Sequence, residues 1–496
     1  MVFILNQVFR GVYRDSVVLM RLSRDLGAMD GINEAALMMG SPANKRVLKD
    51  AGLLSEESAT AESGDLILAV SARDVIAARN AADTIEPQIK SQTRAVAGYN
   101  VWRPKTIRTA AKGNPEANLA LISVPGSLAA AEARKAINNG LHVMMFSDNV
   151  SIEDEISLKK QAREQGVLMM GPDCGTAILN GVPLAFANKV SRGGVGIIGA
   201  SGTGIQEVTT LISNNGSGIS HAIGVGGRDL KDEIGGISTL MGIDQLDNDT
   251  GTKQIVLISK PPGGKVLPKI MERVGQSLKP FTICFIGAPN LDLPANATAA
   301  RTLKDAAQAT LGEREINQFT PSYTKIPDGR TAIRGLYSGG TLAAETQLIL
   351  LDAGLSVASN AAIPGAKELS DEIKTHKIID LGDDQYTQGR PHPMIDPEIR
   401  REPLAAALAD IDVGLILIDI VIGYGAHPNP AGQLADMLSS MRGKNDPTII
   451  ASVTGTEQDP QVLSSQIQTL QSAGIGVAAS NADAAVAALK LLGVNS

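Results

Sequence analysis

Two stretches of this chain share one construction, and a chain that contains both can fold in few ways. IIGASGTGIQE at 197–207 and GLYSGGTLAAE at 335–345 each run from an apolar strand pattern, through small and hydroxyl residues, into a helical pattern. A strand, a glycine turn and a helix open a βαβ unit, so both stretches belong to parallel α/β layers. The helical patterns end at Gly216 and Gly354, residues suited to a left-handed exit, and the parallel points to an internal duplication.

At 496 residues and 43% hydrophobic composition, the chain exceeds what one ordinary core holds. The alternation of patterns predicts an α/β protein of several doubly wound parallel-sheet domains. Residues 1–100 form a small α/β domain, with a strand near Gln7 to Tyr13 and a helix begun by Ser41 and Pro42. Residues 101–190 supply LALISVPG, HVMMFS and VLMMGPDCG as strands of a Rossmann-like half, with Ser151 and Asp154 spaced as a capping box. Residues 191–311 form a third unit that ends in an expected helix, ANATAARTLKDAAQATL. The polar segment 312–330 reads as a linker, and 331–496 form the last unit, with strands near AIRGLY, VGLILIDIVIG, TIIASVTG and GIGVAAS.

A net charge of −7, with no block of Lys or Arg, argues against a nucleic-acid surface. An anionic ligand must then be held by local geometry. No run is long and apolar enough to span a bilayer, and the N-terminal run has no cleavage site after it, so a cytoplasmic protein is expected. Cys174 and Cys284 stand far apart and make no metal-binding pattern, so neither a disulfide framework nor a bound metal is expected.

A helix N-terminus presents unpaired N–H groups and a partial positive charge, which attract phosphate without Lys or Arg. Glycines admit the anion, and hydroxyls add donors. Ser201, Gly202, Thr203 and Gly204, with Ser338, Gly339, Gly340 and Thr341, are therefore the candidate phosphate-binding residues. Neither a Walker motif nor a dinucleotide fingerprint is present.

GPDCGTA (171–177), VGIIGASGTGIQEV, GVGGRDL, LISKPPGG, GRPHPMIDP (389–397) and TGTEQDPQ (454–461), in that order, resemble the FdrA family of acyl-CoA-synthetase-like proteins across nearly the whole chain. More distantly, 101–311 resemble the α subunit of succinyl-CoA synthetase, a CoA-binding domain followed by a flavodoxin-like ligase domain. Residues 331–496 resemble the C-terminal ligase domain of its β subunit. The resemblance implies that two helix N-termini face one phosphate site.

The chain departs from the synthetase pattern in three places. The segment matching the loop that carries the synthetases' phosphohistidine reads NLDLPANATAARTL and has no histidine. The ATP-grasp domain has no counterpart between 311 and 331. Lys260 of SKPPGG stands at or beside the place of a carboxylate that steadies the phosphohistidine, which exchanges a partner for a cation for one that suits an anion. The family resemblance implies a subunit of an oxamate carbamoyltransferase, acting with separate subunits in allantoin-derived purine catabolism on carbamoyl phosphate and oxamate or oxalurate.

Such a transfer needs the leaving phosphate stabilised, the oxyanion on the carbamoyl carbon met by donors, and the nucleophilic amide held in line. The catalytic candidates are Lys260, Arg228 in GVGGRD, and Arg390 and His392 in GRPHP, with His427 behind them. Asp383, Asp384, Asp419 and Glu457 fall near expected loop ends without metal-ligand spacing, and Cys174 reads as a packed thiol. No cofactor is required, although CoA is possible; a homo-oligomer that also joins other subunits is expected. Two other classes remain open: an ADP-forming acyl-CoA synthetase, and a non-catalytic scaffold that binds CoA or a partner.

Overall fold

The computed structural model describes the chain apart from residues 1–2, 13, 15, 95–103, 290, 317–325, 371–375, 388–390, 444–445 and 495–496. It divides into two units, residues 1–103 with 384–391, and residues 104–383 with 392–496. No helix among the described residues is long and apolar enough to cross a membrane.

In the first unit, three strands lie in the order Phe3–Phe9, Leu66–Ala72, Ile32–Met39, with the central strand antiparallel to both neighbours. LILAVSA is buried along its whole length because each face is covered. Leu66, Leu68 and Val70 pack with Leu19, Leu22 and Ile85, while Ile67 and Ala69 pack with Leu48 and Leu53, as a two-residue side-chain period requires. The first strand lies earlier than the expected Gln7 to Tyr13, since Gly11 turns the chain away at a φ of 63°.

The second unit contains three sheets. Leu119–Ile122, His142–Met145 and Met169–Met170 form a parallel sheet in chain order. The hairpin Thr176–Leu179 and Val182–Ala185, which the sequence groups with residues 101–190, instead joins the next sheet through Ile219–Gly224. That sheet has the order Ala297–Ala299, Phe281–Phe285, Gln254–Ser259, Arg192–Gly199, Ile219–Gly224, and then the hairpin. Its five parallel strands have flavodoxin-like order.

The third sheet is wholly parallel, in the order Lys367–Glu368, Val357–Ser359, His376–Asp380, Ala332–Tyr337, Val413–Val421, Thr448–Thr454, Gly476–Ala478. Beyond the antiparallel sheet of the first unit, the chain is thus an α/β protein of doubly wound parallel-sheet domains. The expected helix at 295–311 is shorter, Leu303–Gln308, and Ala297–Ala299 pairs instead with the strand Phe281–Phe285. Thr302 and Asp305 close a capping box that starts the helix late, and the Asn296 amide is held by the carbonyls of Val274, Ser277 and Lys279.

Each of the two larger sheets reverses its winding direction beside one strand, Arg192–Gly199 in one and Ala332–Tyr337 in the other. Crevices open at the carboxyl ends of strands at such switch points, and the two glycine turns leave those ends. The helices that follow, Gly202–Asn214 and Gly340–Asp352, are buried along most of their length. Ile205, Val208 and Ile212 of one share a core with Leu342, Ala343 and Leu348 of the other. A single apolar cluster therefore fixes the two helices against each other.

Candidate anion site

Ser201 caps the first of these helices, its Oγ accepting the Gly204 N–H at 3.1 Å. The same hydroxyl shares a hydrogen bond with Thr341 Oγ1 in the first turn of the second helix. The two helix starts therefore meet, as the sequence expectation of one shared site requires. Gly339 makes the meeting possible: a Cβ there would lie 2.9 Å from Thr203 Oγ1 and 3.0 Å from Thr203 Cβ.

The eight phosphate candidates do not face the same way. The N–H groups of Ser338 and Gly339 each donate to the buried Asp419 carboxylate at 2.7 Å, and the Ser338 hydroxyl donates to it at 3.0 Å. Arg400, also buried, pairs with Asp419 and donates to Ser338 Oγ at 3.0 Å. An internal carboxylate thus occupies the beginning of this turn. The Gly340 helix has no side-chain cap, so the N–H groups that its geometry leaves for a ligand begin at Gly340 and continue through Thr341 and Leu342. On the other side, Gly202 and Thr203 lie in the first turn above Ser201.

Around this mouth stand groups from two more strand ends and a loop. Asp380 closes the strand His376–Asp380, with its backbone pinned by Asn360 on both sides. Its Oδ1 accepts the Gly382 N–H at 2.9 Å. Its Oδ2 leans over the start of the Gly340 helix, 2.5 Å from where a Cβ on Gly340 would lie. Burial raises the Asp380 pKa to about 6 despite the opposing Gly382 hydrogen bond and the Lys260 charge; Asp383 and Asp419 add to the rise.

Lys260 is exposed directly after the strand Gln254–Ser259, within electrostatic reach of Asp380. His392 completes the group. Its Nε2 and the Ser338 carbonyl oxygen each come within 2.8 Å of a Cβ built on Gly382. Nδ1 accepts the Met394 N–H at 3.2 Å, which leaves the ring proton on Nε2. Burial lowers its pKa to about 4, so the ring is neutral and a donor at neutral pH. Phe186 lies against it, with ring centroids 6.3 Å apart.

Arg228 lies in a different cluster, where it donates to the Val150 carbonyl at 2.8 Å and pairs with Glu155 at 2.9 Å. Lys159, fully buried, joins Glu155 to Asp229 there, and Asp229 caps the start of the helix Ile237–Asn248. Arg390 falls outside the described residues. The His427 Nδ1 accepts the Asn429 N–H at 3.1 Å within its own loop. Cys174 is buried and donates to the Gly224 carbonyl, and burial pushes its thiol up to about 12, which removes the thiolate needed for attack.

The sequence does not single out Asp380 or Arg400, and it marks Asp419 only as an acid near a loop end, with no role. Asp419 lies 81 positions from Ser338 and Arg400 lies 62, so only the strand order joins them. Below the clasp lie two further buried acids, Glu207 and Glu345, one on each helix, joined through Asn481. The Asn481 N–H donates to Glu207, and its side-chain amide donates to Glu345. The TGTEQDPQ motif also has a structural place, since Asp459 accepts from Asn188 and from the Lys189 N–H and so ties the two larger sheets together.

Three family models match the chain: CoA-ligase over 336–491, CoA binding domain over 190–287, and AllF, heavy metal-associated domain, over 1–101. The protein YahF of Escherichia coli (strain K12) is 40% identical over 501 residues, covering 97% of each chain. The subunit alpha 1 of an ADP-forming succinate–CoA ligase from Archaeoglobus fulgidus is 26% identical over 201 residues, 40% of this chain and 65% of the relative. Among solved structures, the dinucleotide-forming acetyl-coenzyme A synthetase 1 of Ca. Korarchaeum cryptofilum, in complex with phosphate and ADP, matches 76% of this chain and 82% of its own. That match has 16% identity and a TM-score of 0.32.

The residues of the first unit do not fit the metal that one of these descriptions implies. Residues 1–101 hold no Cys or His, so of the ligands that soft heavy metals take only the weak thioether sulfurs of methionine are present. No group of three His, Cys, Asp or Glu able to hold a metal ion forms among the described residues.

Proposed function

Because the chain belongs, with YahF, to the FdrA- and AllF-type family of succinyl-CoA synthetase-like proteins, we propose that it is a subunit of an oxamate carbamoyltransferase. In this reading it transfers a carbamoyl group between carbamoyl phosphate and oxamate in allantoin breakdown. The observation that carries the reading is the contact between Ser201 and Thr341, which sets two helix N-termini at one position. Each contributes unpaired N–H groups and a partial positive charge, and burial strengthens both against a phosphoryl group.

Phosphate sits at Gly202, Thr203 and Gly340 to Leu342, with Lys260 as the outer cation. The neutral His392 presents Nε2–H to the oxyanion that forms on the carbamoyl carbon. Arg390 is assigned by its sequence position alone to the oxamate carboxylate. Arg228 keeps its structural partners and has no part in the transfer. The reaction needs no resident cofactor, and further subunits complete the site.

A second reading is an ADP-forming acyl-CoA synthetase, favoured by the CoA-ligase and CoA binding domain matches. The absence of histidine from 286–302 stands against phosphohistidine transfer in that loop. The full chain, alone and with the subunits that co-purify with it, is incubated with oxalurate and phosphate. Carbamoyl phosphate formation supports the first reading. CoA-dependent phosphate release from ATP and a carboxylic acid supports the second instead. A thermal midpoint unmoved by carbamoyl phosphate, phosphate and CoA leaves a non-catalytic scaffold.

A further inference from the structure

We propose that Asp380 moves the proton during group transfer at this site, taking it from the attacking amide nitrogen and delivering it to the departing phosphate. The inference rests on the carbamoyl-transfer reading and adds the group that reading lacks.

Three observations set Asp380 apart from the other carboxyls near the clasp. Asp419 is fully engaged by two N–H groups, a hydroxyl and Arg400, so it has no freedom to exchange a proton with a substrate. Asp380 uses one oxygen for Gly382 and holds the other over Gly340. The obvious structural task for such a carboxyl is to cap the helix, yet the Gly340 helix has no side-chain cap bond. An oxygen at that place lies beside the N–H groups assigned to the phosphoryl group.

The charges facing Asp380 are Lys260 from the neighbouring sheet, Asp383 from its own loop and Asp419 from the strand Val413–Val421, one strand removed in the same sheet. His392 Nε2 lies across Gly382, and its ring is neutral. An ionised carboxylate here repels phosphate, and the Lys260 charge facing it offsets that repulsion while Asp380 stands ready to accept a proton. Proton transfer is most effective for a group that titrates close to the working pH, and burial places Asp380 there.

The step balances without a further reactant. The amide nitrogen of oxamate attacks the carbamoyl carbon, a C–N bond forms and the C–O bond to the phosphate breaks. The nitrogen's proton passes to Asp380 and then to the leaving oxygen. Carbamoyl phosphate dianion and oxamate monoanion thus give oxalurate monoanion and hydrogen phosphate, and Asp380 returns to its starting state.

The test compares the full chain, with its co-purifying subunits, against Asp380→Asn and Asp380→Glu in oxalurate phosphorolysis, with carbamoyl phosphate binding measured by calorimetry. The expected result is that Asp380→Asn binds carbamoyl phosphate at least as tightly as the parent. Its kcat falls about 100- to 10,000-fold. The parent's rise in kcat near pH 6 disappears, and Asp380→Glu restores part of the rate with a shifted limb.

A kcat for Asp380→Asn within about threefold of the parent with the pH limb intact overturns the proposal, as does loss of carbamoyl phosphate binding in a folded variant. If Asp380→Asn does not fold, Asp380→Glu decides: an unshifted pH limb overturns the role and a shifted one supports it. A parent protein that neither binds carbamoyl phosphate nor performs the phosphorolysis removes the functional reading itself, and this role with it.

Discussion

The hydroxyls of Ser201 and Thr341, 140 positions apart in the chain, share a hydrogen bond where two helices from different sheets begin. Their partners follow from the packing: the helices share one apolar core, and each turn leaves its sheet at the point where the winding reverses. A neutral hydrogen bond contributes about 1 kcal/mol net, so it reports the geometry more than it enforces it.

Thr341→Val removes that hydroxyl at nearly constant volume. We expect inorganic phosphate to bind roughly fivefold more weakly, as loss of one neutral donor predicts, with the thermal midpoint little changed. Calorimetric titration of parent and variant checks this, and an unchanged Kd argues that the hydroxyl does not face the ion.

Gly339→Ala drives a methyl against Thr203, whose Oγ1 and Cβ leave it 2.9 and 3.0 Å. The overpacking costs about 1–3 kcal/mol in denaturant unfolding, and phosphate affinity falls because the helix starts are pushed apart. Gly339→Ala with parental stability and affinity contradicts the closeness of the two turns.

Much of the architecture was legible because strands covered on both faces, in the parallel sheets and at the centre of the antiparallel one, read as unbroken apolar runs. LILAVSA, QIVLIS and VGLILIDIV are examples. The strand Ala297–Ala299 was not, since its alanines favour helix and only pairing with Phe281–Phe285 makes it a strand. The short strands Val357–Ser359 and His376–Asp380 were also missed, and with them Asp380. The hydroxyl-rich turns announced themselves, but which of their N–H groups face outward depended on Asp419, and no spacing rule connects it to Ser338.

Asp419→Asn leaves the Arg400 guanidinium buried without a counter-charge and weakens both N–H contacts to the turn. We expect a loss of about 3–5 kcal/mol in unfolding free energy, the usual result of breaking a buried pair. A loss below about 1 kcal/mol in urea unfolding contradicts the assignment of Asp419 as the anchor of the turn.

Glu345 gives a pH dependence of definite sign. Burial, with Glu207 beside it, raises its pKa from 4.5 to about 8, so the folded state retains a proton that the unfolded chain releases. Its contribution to stability is full below about pH 4.5 and is lost as the pH rises to about 8. Thermal midpoints measured from pH 5 to 8 are expected to fall, and Glu345→Gln is expected to flatten that fall. An equal slope in the variant contradicts the assignment.

The central claim is that one phosphoryl group is held by both helix starts, and a crystal structure of the full chain with carbamoyl phosphate tests it most directly. The account predicts phosphoryl oxygens about 2.7–3.2 Å from N–H groups within Gly340 to Leu342 and from Gly202 or Thr203 together. A phosphoryl group bound at one helix alone, or elsewhere on the chain, contradicts it.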